Sequence, residues 1–151
     1  MLNRFFFLIV CLVILSGCGY NPIYSTKNLN FTIGNIEKES TSLNNEFAKS
    51  INFIKNSKSN NKIDIKIESN KTVTIKSKDT KGNALIFELK ILLNVKKLND
   101  ETQQQTFSRK ITFKNRDDKF KLKQYEKELE IILINKIVED LINYFSNFND
   151  I

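Results

Sequence analysis

Apolar and polar positions change their period several times along this chain, and each change predicts an element. Phe31 and Ile33 alternate with Thr32 and Gly34, with Ile36 a further candidate, which is the period of a first strand. Leu43, Phe47, Ile51 and Ile54 then recur at steps of four, four and three. That spacing lines one face of an α-helix, with Ser42 placed as its N-cap. The run Asn56-Ser57-Lys58-Ser59-Asn60-Asn61 is polar and turn-prone and ends it.

From Lys62 the period becomes two. Ile63, Ile65 and Ile67 alternate with Lys62, Asp64, Lys66 and Glu68, and Val73 and Ile75 continue the pattern past Ser69-Asn70-Lys71. Turn chemistry follows at Lys78-Asp79-Thr80-Lys81-Gly82-Asn83. Leu85, Phe87, Leu89, Ile91, Leu93 and Val95 then share one face of a long strand, with Glu88, Lys90, Asn94 and Lys96 on the other. After a second turn at Leu98-Asn99-Asp100-Glu101, Phe107, Arg109, Ile111 and Phe113 alternate with Ser108, Lys110, Thr112 and Lys114. Such short connections predict an antiparallel meander with one buried and one wetter face. Asn115-Arg116-Asp117-Asp118 offers helix-start residues. Beyond it Leu122, Tyr125, Leu129, Ile132, Ile137, Leu141, Tyr144, Phe145 and Phe148 mark a long helical stripe that must bury its face against something, most simply the sheet. The predicted order is β-α-β-β-β-α: an α+β fold with a four-stranded, mainly antiparallel sheet and two helices packed on one face.

The beginning of the chain follows another pattern. Arg4 precedes an unbroken apolar run from Phe5 to Leu15, and Leu15-Ser16-Gly17-Cys18 closes it. This is the form of a bacterial lipobox, cut just before a cysteine that carries lipid. A membrane-spanning anchor is the rival reading, but about 11 apolar residues fall short of the roughly 20 that a spanning helix needs. Residues 1–17 are therefore expected to be a removed signal peptide, and residues 18–151 one periplasmic domain. Cys11 would leave with the leader and Cys18 would take the acyl chains, so no intramolecular disulfide is expected. Gly19 stands where inner-membrane retention commonly uses aspartate, which favours the outer membrane. The segment Gly19–Ser25 holds the only proline, Pro22, and its tyrosines and Ile23 are too apolar for a plain tether.

Composition narrows the chemistry. The formal net charge is +7 and histidine is absent. The commonest general base and metal ligand is thus missing, no free thiol is expected to survive, and the four glycines build no phosphate-cradling loop. Acidic pairs at Asp117-Asp118 and Glu139-Asp140 read as a helix cap and a solvated helix face. Neither an enzyme, nor a metal site, nor a cofactor is expected. A basic balance suits nucleic acid or an anionic membrane; outside the cytoplasm the second applies, with lipopolysaccharide as the phosphate-bearing ligand, while AT-rich codons would also raise lysine content. Two surfaces are candidates for binding. Lys76, Lys78 and Lys81 flank the turn between the second and third strands and could pair with lipid A phosphates, or simply keep a hairpin tip soluble and protect edges. Ala84, Ile86 and Leu92 interrupt the polar face of the third strand and could meet a partner or be covered by the N-terminal segment.

The start Cys18-Gly19-Tyr20-Asn21-Pro22-Ile23-Tyr24 resembles that of the alphaproteobacterial LPS-assembly lipoprotein LptE family. So do the element order and the ending from Phe120 through Tyr125-Glu126 to Leu141 and Tyr144-Phe145. The chain departs from that family in being unusually rich in lysine and asparagine. The resemblance implies a non-enzymatic protein of the outer membrane, lipid-anchored through Cys18 on the periplasmic side. It would plug the β-barrel LPS translocon LptD, assist its assembly and help lipopolysaccharide reach the outer leaflet. The alternative is an auxiliary lipid- or solute-binding lipoprotein of an envelope transporter.

Overall fold

The computed structural model describes residues 29–52, 54 and 59–148. The leader, Cys18 and the Cys18–Tyr24 segment lie outside the described residues. The elements run β1 (Thr32–Lys38), α1 (Ser42–Asn52), β2 (Lys62–Lys78), β3 (Ala84–Lys97), β4 (Asp100–Lys114) and α2 (Lys119–Phe148). The four strands form one sheet in the order β1-β2-β3-β4. β2, β3 and β4 are the antiparallel meander that the alternation predicts. β1 pairs with β2 in parallel, because α1 serves as the crossover that a parallel connection requires. The sheet is α+β and mixed, antiparallel in all but this pair.

The odd-numbered residues of the meander face the helices. Ile63, Ile65, Ile67, Leu89, Ile91, Leu93, Val95, Phe107 and Phe113 are all buried there. Against them pack Phe47 and Ile51 from α1, Ile54 just beyond it, and Leu129 to Phe145 from α2. α1 starts one residue before the sequence expectation. Its N-cap is Thr41, not Ser42: the Thr41 hydroxyl accepts the Asn44 backbone N–H at 3.2 Å, three residues on. At α2 the cap is Asp118, whose Oδ1 accepts the amides of Phe120 at 2.9 Å and Lys121 at 3.1 Å.

α2 departs from its predicted stripe. Leu133, Ile134, Val138 and Ile142 are buried, whereas Ile132 is 45% exposed. The helix rests on both the sheet and α1, so its buried face is wider than one stripe and turns away from Ile132. Phe148's side chain lies outside those described. Among the described residues no helix is long and apolar enough to cross a membrane.

Strand β4 begins at Asp100, well before Phe107. Gln104 and Gln105 carry no alternation, yet their backbones stay in register with Lys96 and Val95. At the other edge, β1 bulges between Ile33 and Ile36. The Asp64 carboxylate crosses over there to accept the Asn35 amide at 2.6 Å. A Cβ on Gly34 would lie 2.1 Å from Asp64 Oδ1, so glycine is what lets the carboxylate reach the bulge.

Candidate functional site

The β2–β3 hairpin ends in a self-braced turn. The Asp79 carboxylate accepts the amides of Lys81 at 2.9 Å and Asn83 at 2.8 Å, and the Asn83 side-chain amide at 3.0 Å. The bonds from Asn83 and the turn amides hold this exposed carboxyl below its ordinary value. Gly82 takes φ +87°, a left-handed conformation that costs glycine nothing. Lys76, Lys78 and Lys81 are all exposed at this end of the sheet. Lys76 reaches Glu88 at 3.6 Å, while Lys78 and Lys81 have no ion-pair partner among the described residues.

Antiparallel register brings further cations to the same end, which no linear spacing in the sequence shows. Lys114 is aligned with Ile86, and Lys110 shares Glu88 with Lys76 at 3.7 Å. The Asn115 amide donates to the Leu85 carbonyl at 2.8 Å, so the loop into α2 lies beside the start of β3. In that loop Arg116 stacks 4.1 Å above the Tyr125 ring.

Hydrophobic exposure is concentrated here as well. Val73, Ile75 and Leu85 continue the buried face in sequence, yet they are 39%, 49% and 47% exposed, and Phe120 is 78% exposed. α1 covers the first third of β2 and α2 covers β3 and β4, so the far end of β2 extends past both. The second expected patch differs: Ala84, Ile86 and Leu92 are half-buried on the outer sheet face by their cross-strand neighbours.

Two charged clamps fasten α2 across the inner face. Lys71 and Arg109 both align with Ile91 and flank it. Lys71 Nζ donates to Glu126 and Glu130, each at 2.9 Å, and Lys127 donates to Glu130 at 2.7 Å. On the other margin Arg109 forms a fork with Asp140, at 2.8 and 2.6 Å, which raises the guanidinium's affinity for its proton.

Burial pushes the Glu130 carboxyl up, but the bonds from Lys127 and Lys71 pull it further down, leaving it below 4.5. Burial pulls Lys71 down, and Glu126 and Glu130 more than offset this, leaving it above 10.5. A depressed acid stabilises the fold above its unfolded pKa and loses that contribution as pH falls through the folded value. A raised base contributes below its unfolded pKa and loses it as pH rises through the folded one. The clamp is thus complete at neutral pH. Glu130→Gln should cost about 1–2 kcal/mol at pH 7, limited by water around the two partly exposed lysines. Urea unfolding at pH 7 and at pH 3 checks this. The gap between the two proteins should shrink in acid, and an equal gap at both pH values would assign the loss to packing.

A cavity of about 10 Å³, lined by Val95, Lys97, Gln103, Gln105, Tyr144 and Phe145, has room for no more than one water.

No family model matches the chain, and no curated protein matches it in sequence. Solved structures do resemble it. The crystal structure of the rare lipoprotein B from Shewanella oneidensis superposes with a TM-score of 0.56 at 13% identity, covering 78% of this chain and 98% of that one. The solution structure of a lipoprotein B from Nitrosomonas europaea gives 0.54 at 18% identity, covering 86% and 92%. A minor lipoprotein from Acinetobacter baumannii gives 0.52 at 11% identity, covering 80% and 93%. Identities this low show shared architecture alone: the chain has the sheet-and-helix fold of these bacterial lipoproteins.

Proposed function

We propose that this chain is an envelope lipoprotein, acylated at Cys18, that sits on the periplasmic side of the outer membrane. There it acts as plug and assembly partner of the β-barrel LPS translocon LptD. The observation that carries the reading is the union of a lipobox at residues 15–18 with a fold otherwise seen in proteins described as lipoprotein B. The LptE-like opening from Cys18 to Tyr24 supports the finer assignment. Acyl chains contribute about 0.8 kcal/mol per buried methylene, so two or three of them hold a protein at the membrane essentially permanently. The body then acts by contact. The alternative, a lipid- or solute-binding protein, needs a pocket; among the described residues, the cavity beside Tyr144 is too small for either ligand.

The test is co-purification of the tagged full chain from detergent-solubilised outer membranes. An LptD barrel should accompany it, and recovery as a lone monomer would sink the proposal. Cys18→Ser should release the protein into the soluble periplasmic fraction.

For the hairpin end, Lys76, Lys78 and Lys81 changed together to Glu should weaken lipopolysaccharide binding on the order of a hundredfold at low salt, from about 1 kcal/mol per lysine. Circular dichroism should show an unchanged fold. Unaltered binding would remove these lysines from the site.

A further inference from the structure

Among the described residues, the sheet has an open edge. β1 pairs with β2 only as far as Lys38 opposite Ile67, and β2 runs on to Lys78. Along this continuation β3 takes one side of the backbone, and among the described residues no strand takes the other. Every residue from Asn70 to Lys76 is exposed, although all belong to a strand in unbroken register with β3 as far as Ile75. Unpaired strand edges template the addition of another strand, and proteins usually blunt them.

The other two edges are blunted. β1 is short and bulged at Gly34 and Asn35. β4 carries the exposed charges Arg109, Lys110 and Lys114 and has no large exposed apolar side chain among those described. The far half of β2 instead presents Val73 and Ile75 beside its free backbone.

We infer that the β2 edge from Asn70 to Lys78 is a docking site for an extended strand of a partner protein in which apolar side chains alternate with carboxylates. The alternation follows from the pleat. A strand laid on this edge sets one row of side chains beside Val73 and Ile75, where apolar groups extend the inner face. Its other row lies beside Thr72, Thr74 and Lys76, with Lys78 just past the bulge at Ser77. The nearest acid, Glu88, is already shared by Lys76 and Lys110 at 3.6 and 3.7 Å, so additional carboxylates are what these lysines lack. The same charges disfavour a second copy of the chain, since residues 70–78 carry three lysines and no acid.

This inference is independent of the translocon reading, and its probe contains no envelope component. A fluorescein-labelled peptide of about nine residues alternating valine and glutamate, a length typical of an added strand, is titrated against the full chain in mild detergent. It should bind, and a valine–lysine peptide of equal length should bind at least tenfold more weakly. Val73→Thr with Ile75→Thr should weaken the acidic peptide at least tenfold; both positions are exposed, so the thermal midpoint should stay unchanged. Hydrogen exchange with peptide bound should slow at the amides of residues 70–78 and stay unaltered in β4. Equal affinity for the two peptides, protection of β4 instead, no binding at about 1 mM peptide, or a dimer of the chain alone with its β2 amides protected would each overturn the assignment.

Discussion

Replacing Phe31 by alanine should destabilise the domain by about 3–5 kcal/mol, the range for truncating a fully buried phenylalanine. Phe31 has no exposed surface and immediately precedes β1. Its ring lies 5.6 Å from that of Phe145 near the end of α2, and Phe145 in turn meets Tyr144, which packs edge-on against Phe107 of β4. This aromatic chain ties the first strand to the last helix and the far edge of the sheet. Polar bonds lie along the same seam: the Asn30 amide donates to the Ser146 carbonyl at 3.2 Å, and Ser59 Oγ donates to the Asn30 carbonyl at 2.7 Å. Truncation removes the transfer free energy of the ring and leaves a void that well-ordered neighbours fill only in part. Against a total stability of about 5–15 kcal/mol, that is a large fraction. The melting midpoint should fall by roughly 10–20 °C. Urea unfolding followed by circular dichroism measures the change. A double-mutant cycle with Phe145→Ala should reveal a coupling of about 0.5–1.5 kcal/mol. A loss below about 1 kcal/mol for Phe31→Ala would mean that the seam does not hold the domain together.

The second large effect is polar. Asn44→Leu should cost about 2–3 kcal/mol, although it adds apolar surface to a helix. Asn44 is 2% exposed, its amide donates to the Glu39 carbonyl at 3.1 Å, and its Oδ1 accepts the Ser69 hydroxyl. Leucine would strand the partly buried Ser69 hydroxyl and leave the Glu39 carbonyl with the Thr41 amide alone. The asymmetry between removing one partner and removing both provides the check. Ser69→Val in the Asn44→Leu background should recover about 1 kcal/mol, because it deletes an orphaned hydroxyl. The same change in the native chain should be destabilising. If the two substitutions simply add, the Asn44–Ser69 bond contributes nothing to the fold.

The alternation from Ile63 to Phe113 is readable because a strand with one buried face has a period that no neighbour can alter. The same holds for Leu43, Phe47 and Ile51 on α1 and for Ile54 just past its end, all of which meet the core. Three features resisted that reading, each for its own reason. The cap fell on Thr41 instead of Ser42, since adjacent hydroxyl residues compete for one geometric role. The α2 stripe misplaced Ile132 because a helix resting on two neighbours buries more than one line of residues. Val73, Ile75 and Leu85 read as core but are partly bare, as periodicity reports which face a residue occupies and not how far the covering layer extends. The candidate site was visible only in part. Lys76, Lys78 and Lys81 are close in sequence, whereas Lys110 and Lys114 join them through strand register.

Local chemistry alone determined the elements, their order and the inward face of the strands, because hydrophobic period and turn residues act over a few neighbours. Tertiary structure decided what depends on distant segments meeting. It set β1 parallel to the first third of β2, brought Lys71 and Arg109 to the carboxylates of α2, and, among the described residues, left the rest of β2 with one side unpaired. Those outcomes follow from where the helices end over the sheet, a matter of lengths and packing that no stretch of sequence contains by itself.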